Sequence, residues 1–192
     1  MAPPPSMASL ARRCATTAAR PKQLLLVWHS RTGLARQMSL ALEDGALSAS
    51  RQLGEKLSLL RLPAAQASAE AVLHADGYLF CAPENLASTS GAMLDFFHRS
   101  YYHMFSREDE APLLAGRPVG IAVAAGSDGS AAARQMERIC RGWRLRPVGE
   151  SLIWRDGAPQ TAEHILSPKV CPAEAEELCR ELGGRVAATL LL

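Results

Sequence analysis

Apolar and polar positions form blocks along the chain that predict strands and helices in turn. Short apolar runs, typical of strands covered on both faces, occur at residues 24–28, 56–62, 77–82, 119–125 and 146–154. Apolar residues at helical spacing follow them at 33–50, 69–75, 93–104, 130–143 and 172–190. Strands that alternate with helices in this way predict an α/β fold, with a parallel sheet and helices on both faces.

The loops that follow the strands are expected to share one edge of this sheet. Right-handed crossovers place every strand-to-helix loop on the same side. The loops at 29–35, 83–91 and 125–130 would therefore meet, as ligand-binding loops do in doubly wound folds.

The first of these loops has the composition of an anion site. Backbone N–H groups at the start of a helix have no partner within it and point at whatever lies there. Ser30 and Thr32 add two hydroxyl donors, and Gly33 permits a close approach of the backbone or a positive φ. The same residues also suit an ordinary capped turn, so both interpretations stay open.

Length and composition bound the possible functions. The chain has 192 residues, is 48% hydrophobic and has a formal net charge of +2. These values suit one domain, which we expect at residues 22–192, with a substantial core. The small net charge gives no case for a nucleic-acid partner, and no apolar run approaches the roughly 20 residues of a membrane helix.

The first 21 residues differ in composition from the rest of the chain. They contain three consecutive prolines and three arginines, and no acidic residue occurs before Glu43. We expect a disordered basic tail; the alternative is an organelle-targeting segment. The five cysteines are odd in number and form no Cys-x-x-Cys pair, which favours a reducing compartment and hence a cytoplasmic location.

The three loops carry short sequences that are informative together. They read His-Ser-Arg-Thr-Gly at 29–33, Ala-Pro-Glu-Asn-Leu-Ala-Ser-Thr-Ser-Gly-Ala-Met-Leu at 82–94, and Ala-Gly-Ser-Asp-Gly-Ser at 125–130. In this order the chain resembles the flavodoxin-like family, in particular its NAD(P)H-dependent FMN reductase branch. The first loop is similar to the family's phosphate loop, with Ala35 where a threonine is usual. The third is similar to the loop that borders the flavin ring.

The resemblance implies a flavodoxin-like three-layer sandwich with a five-stranded parallel sheet of order 2-1-3-4-5. It implies FMN, with the phosphate on the first loop and the ring between the other two. The candidate binding residues are Ser30, Arg31, Thr32, Gly33, Leu34, Ala35, Pro83, Glu84, Asn85, Leu86, Ala87, Ser88, Gly91, Gly126, Ser127, Asp128 and Gly129. Family members commonly place an aromatic residue near the ring, whereas this loop offers Leu86 and Ser88.

By the same resemblance the protein is an FMN-dependent oxidoreductase. It would take a hydride from NAD(P)H, pass electrons to a quinone or another small acceptor, and form a homodimer or homotetramer. NAD(P)H would lie over the flavin, because the sequence contains no Gly-x-Gly-x-x-Gly fingerprint. The alternatives are a flavodoxin-type electron carrier and a non-enzymatic binding module. The balance of 21 basic to 19 acidic residues argues against a carrier, which in this family is usually strongly acidic.

No side chain is expected to act as a catalytic acid or base, because the flavin carries the chemistry. Glu84 is either a general acid at the ring edge or a hydrogen-bonding residue of its loop, and Asp128 either contacts the ligand or shapes its turn. Arg31 either neutralises the phosphate or projects into solvent. The five histidines are scattered, so we expect no metal site.

Overall fold

The computed structural model describes residues 20–105, 113–157 and 159–192, so the expected tail at 1–21 lies almost wholly outside it. No helix in these ranges combines the length and hydrophobicity that a membrane span requires. The elements are β1 (Lys22–Trp28), α1 (Leu34–Leu53), β2 (Leu57–Pro63), α2 (Ala69–His74), β3 (Gly77–Asn85), β4 (Ser88–Thr89), α3 (Gly91–Tyr101), a 3-10 turn (Tyr102–Met104), β5 (Pro118–Ala125), α4 (Ser130–Gly142), β6 (Arg146–Pro147), β7 (Leu152–Arg155), α5 (Ala162–Leu166) and α6 (Ala173–Leu191).

The sheet has the expected parallel order, with one strand divided and one small strand added. Its order is β2-β1-β3-β5-β6, and β7 also pairs in parallel with β5. The single strand expected at 146–154 is therefore two short strands, separated where Gly149 takes a φ of +80°. The added β4 pairs antiparallel with the end of β3 and forms a hairpin beside the strand ends.

Both faces of the sheet are covered by helices, and successive residues of β1 are buried in two separate hydrophobic cores. Leu25 and Val27 pack with residues of α2, α3 and α4, whereas Leu24 and Leu26 pack with residues of α1 and α6. All four leucine and valine side chains are completely buried. This double burial explains why the strand reads as an unbroken apolar run.

Helices α1 and α6 approach each other closely because a glycine on each faces a backbone carbonyl of the other. A Cβ atom added to Gly183 would lie 2.0 Å from the carbonyl oxygen of Leu42, and one added to Gly45 would lie 2.0 Å from that of Arg180. The pairing of α6 with α1 has a topological consequence. Since β7 lies on the far side of β5, the connection at 156–172 must return across the carboxyl edge of the sheet.

Candidate functional site

A cavity of about 480 Å³ lies where the three predicted loops meet at the carboxyl ends of β1, β3 and β5. Its size is within the roughly 300–1,000 Å³ typical of small-ligand sites. Most of the candidate residues line it: Ser30, Arg31, Thr32, Leu34, Ala35, Pro83, Glu84, Asn85, Leu86, Ala87, Gly126 and Ser127.

The remaining candidates stand behind or beside the cavity. Gly33 and Gly129 are the residues that immediately precede α1 and α4, and both have positive φ angles. Ser88 donates a hydrogen bond to Oε1 of Gln135 over 2.7 Å, so its hydroxyl joins β4 to α4. Gly91 is the exposed first residue of α3, and Asp128 is exposed on the third loop. These residues shape the loops rather than form the cavity wall.

The first loop presents hydrogen-bond donors at the start of α1. Gly33 has a φ of +102°, and its N–H donates to Oγ of Ser30 over 3.0 Å. The first helical bond runs from the N–H of Gln37 to the carbonyl of Gly33 over 3.1 Å. The N–H groups of residues 34–36 precede that bond, so they have no acceptor within the helix. The oxygen of Ser30 is thus engaged within the turn, but its hydroxyl proton remains available as a donor.

The second loop is a strained hairpin that exposes a leucine. Leu86 and Ala87 connect β3 to β4 with φ angles of 52° and 54°. Left-handed conformations cost a residue with a side chain roughly 1–2 kcal/mol each, and such strain is typical of functional sites. Leu86 is fully exposed, at 101% of its reference area, although it lines the cavity. The loop therefore presents an apolar surface at the cavity mouth.

Glu84 connects the second loop to the third. Its Oε2 atom accepts a hydrogen bond from the N–H of Gly129 over 2.9 Å. Gly129 has a φ of +74°, and a Cβ atom there would lie 2.5 Å from Cγ2 of Ile153. The carboxylate of Glu84 therefore holds the start of α4 in place, which favours the hydrogen-bonding role over that of a general acid.

Asp128 is organised by its own turn. Its Oδ2 atom accepts hydrogen bonds from both the N–H and the hydroxyl of Ser130. The pKa of Asp128 is lowered, chiefly because of the bond from the Ser130 hydroxyl. Its side chain is 62% exposed and lies 3.7 Å from the guanidinium of Arg155. The structure thus favours the turn-shaping role of this residue.

His29 lies between the first strand and the first loop and does not supply a cation there. Its backbone N–H donates to the carbonyl of Cys81 over 3.0 Å. Partial burial lowers the pKa of its imidazole, and the neighbouring charge of Arg31 lowers it further. The ring is therefore neutral at neutral pH.

One wall of the cavity was not predicted. It consists of Asp156, Gln160, Ile165, Leu166 and Lys169, all on the connection between β7 and α6. This segment has no strong periodicity, and its short helix α5 has no buried residue. No local signal in the sequence identifies it, since only the pairing of α6 with α1 brings it over the strand ends.

The fold and part of the sequence have recognisable relatives. The NADPH-dependent FMN reductase family model matches residues 49–159, more than half of the chain. No curated protein matches the sequence significantly.

Among solved structures, an archaeal flavodoxin is similar with a TM-score of 0.65 at 12% identity, covering 88% of this chain and 98% of that one. An oxidoreductase from Corynebacterium diphtheriae has a TM-score of 0.63 at 17% identity, with 89% and 97% covered. The flavodiiron core from Synechocystis has a TM-score of 0.65 at 15% identity and covers 90% of this chain, which spans only 36% of that protein. At these identities the likeness shows the flavodoxin-like fold.

Proposed function

Since the chain belongs to the NADPH-dependent FMN reductase family, we propose that it binds FMN, takes a hydride from NAD(P)H and passes electrons to a quinone or another small acceptor. The observation that carries this proposal is the cavity at the strand ends, with unpaired helix amides at one side and an exposed apolar loop at the other. When bound, FMN would supply the hydride-accepting and electron-transferring chemistry.

The start of α1 fits the phosphate of this cofactor. The N–H groups of residues 34–36 and the hydroxyls of Ser30 and Thr32 are donors without any carboxylate in the turn itself. The positive end of the dipole of this 20-residue helix adds to their attraction for an anion. The phosphate would therefore bind at 30–35. The family match begins at residue 49, after this turn, so it does not support the phosphate site. The geometry of the turn supports it.

The second and third loops fit the flavin ring. Leu86 provides an aliphatic face where relatives commonly have an aromatic one, and Gly126 and Ser127 of the third loop line the same cavity. Apolar contact at Leu86 would bury surface that the free protein leaves exposed, which favours binding by about 25 cal/mol per Å². Backbone groups of 84–88 and 126–129 would orient the ring.

NAD(P)H would lie over the flavin rather than in a domain of its own. The described fold contains one parallel sheet and one large cavity at its carboxyl edge, without a second dinucleotide-binding unit. Hydride transfer needs no acid or base from the protein, in agreement with the engagement of Glu84 by Gly129. The protein's part is to position the two rings and exclude water.

Titration of the purified protein with FMN, followed by flavin fluorescence, tests the proposal. Thr32→Ala should weaken FMN by at least about tenfold, because one hydrogen bond to a charged group is worth roughly 1.5–3 kcal/mol. Thr189→Ala is a matched control, since Thr189 lies near the end of α6 and its hydroxyl donates to the carbonyl of Arg185. Equal affinity of the two variants would place the phosphate elsewhere.

Further assays of the same purified protein distinguish the three alternative functions. Oxidation of NAD(P)H with a quinone acceptor supports the reductase. Stable one-electron reduction without NAD(P)H turnover would indicate a flavodoxin-type carrier. Absence of fluorescence quenching at micromolar FMN would leave a non-enzymatic binding module. The assembly into dimers or tetramers stays a prediction of the family resemblance, which size-exclusion chromatography with light scattering tests.

A further inference from the structure

Lys169 lies outside the residues that the family match covers, yet its backbone rests on the first loop. Its N–H donates to the carbonyl of Thr32 over 2.8 Å. Its own carbonyl accepts from Nε2 of Gln37 over 2.8 Å, and Oε1 of Gln37 accepts from the N–H of Cys171 over 3.1 Å. The backbone of 169–171 is therefore fixed to the start of α1.

Gly33 permits this close contact. A Cβ atom at that position would lie 3.3 Å from the carbonyl oxygen of Lys169, and the positive φ already disfavours any other residue. The loop expected to hold a phosphate and the segment that carries Lys169 thus form one unit of structure.

Lys169 lines the cavity, and its ammonium group is largely buried and paired. Its Nζ atom is 2.8 Å from Oδ2 of Asp156, and each side chain is only 16% exposed. Both residues line the same cavity as Ser30 and Thr32. An ammonium has three N–H donors, so it can contact Asp156 and a ligand oxygen together.

The charges around the cavity favour a second partner for this ammonium. Among the described residues, the charged side chains that line the cavity are those of Arg31, Glu84, Asp156 and Lys169. Arg31 is exposed, whereas Lys169 is largely buried. A phosphate dianion would meet two carboxylates in this wall, so a buried cation next to the first loop would offset their repulsion.

We propose that Lys169 is a phosphate-binding residue that donates to the FMN phosphate at the start of α1, and that Asp156 holds its ammonium in the free protein while its carboxylate opposes the phosphate. This inference rests on the proposed binding of FMN. It assigns the binding of the cofactor's phosphate to Lys169, which lies on the connection before α6, beyond residue 159 where the family match ends and outside the three loop motifs.

Parallel titrations with FMN and riboflavin test this role, because riboflavin has the same ring and lacks the phosphate. Lys169→Met should weaken FMN at least about tenfold, the loss expected for one charge-assisted hydrogen bond, and leave riboflavin affinity unchanged. Lys56→Met is the matched control, since Lys56 precedes β2 at the opposite edge of the sheet and should affect neither ligand.

Asp156→Asn should change FMN affinity in the opposite direction. It removes a carboxylate that would face the phosphate and leaves the ammonium less strongly held, so FMN should bind severalfold more tightly while riboflavin does not change. The double variant Asp156→Asn/Lys169→Met avoids an uncompensated buried carboxylate if the single lysine variant folds poorly. It should bind FMN more weakly than the wild type but less weakly than Lys169→Met, because the repelling carboxylate is also gone. Thermal melts of the free proteins report folding.

The outcomes distinguish this inference from the proposed function. Wild-type protein that binds neither flavin overturns both. Wild-type binding of FMN with unchanged affinity in Lys169→Met overturns only the role of Lys169. Equal losses for FMN and riboflavin in both single variants would mean that the pair merely shapes the cavity. A loss confined to FMN in Lys169→Met, with a gain in Asp156→Asn, supports the inference.

Discussion

Replacing Gly183 by alanine should force α1 and α6 apart. This shift should displace the first loop, which immediately precedes α1. The added Cβ atom would lie 2.0 Å from the carbonyl oxygen of Leu42 and 2.9 Å from its carbon. Both atoms belong to the backbone, so no side chain can rotate away. The helices would have to separate by roughly 1 Å or more in a closely packed interior, which resists such shifts.

The size of the effect follows from two opposing contributions. Overpacking a core costs about 1–3 kcal/mol, whereas alanine is better than glycine in a helix by roughly 0.8–1.0 kcal/mol. Gly184 is its matched control, because it is in the same helix and its Cβ would lie at an ordinary 3.5 Å from the carbonyl oxygen of Gly45. Gly184→Ala should therefore stabilise the protein, and Gly183→Ala should be less stable than Gly184→Ala by about 1–3 kcal/mol.

Thermal unfolding of the two variants, followed by circular dichroism without added ligand, measures this difference. For a chain of this length, 1 kcal/mol corresponds to about 2–4 °C in Tm. Gly183→Ala should also bind FMN more weakly, because the start of α1 moves. A Gly183→Ala protein that melts as high as Gly184→Ala would refute the inference that the close crossing holds α1 in position.

Three further predictions concern the loops of the cavity. Ala87→Gly relieves a positive φ of 54° and should raise stability by up to about 1 kcal/mol in urea unfolding without weakening FMN; an unchanged midpoint would mean that the turn is unstrained. Glu84→Ala leaves the N–H of Gly129 without its acceptor and should lower stability by about 1–3 kcal/mol, whereas Glu84→Gln should retain most of it in the same denaturation. The pKa of His29 is lowered in the fold, so below the usual value of about 6.5 the unfolded chain binds more protons than the folded one. The protein should therefore become less stable as the pH is lowered, until the folded imidazole is protonated as well. Melting curves between neutral and acidic pH should show this slope in the wild type and a weaker one in His29→Gln.

The sequence alone determined the layers of the fold. The apolar runs at 24–27, 77–82 and 119–125 are unbroken because both faces of β1, β3 and β5 are buried, and each run shows this by itself. Alternation with helical segments then gives a parallel sheet, and right-handed connections place the loops on one edge. The meeting of 30–35, 83–87 and 126–127 at one cavity follows from these local signals and a fixed handedness.

Details that depend on backbone geometry were predicted less well. The last strand is interrupted near Gly149, and the second loop forms a hairpin with β4, although nothing in Leu86-Ala87 indicates a two-residue turn. Asparagine and glycine usually mark such turns because they tolerate positive φ. A leucine and an alanine adopt it here only because the surrounding strands impose it.

Only the tertiary structure decided which residues complete the cavity. The contact of Gly45 and Gly183 with opposing carbonyls places α6 beside α1, and glycine spacing by itself does not reveal its partner. That pairing draws the connection across the strand ends and brings Lys169 to the first loop, where its carbonyl accepts from Gln37, 132 residues earlier in the chain. Asp156 reaches the same cavity because β7 pairs with β5. The hydrophobic pattern of one helix or strand shows which of its faces is buried. Contacts between distant segments depend on how the helices and strands pack together.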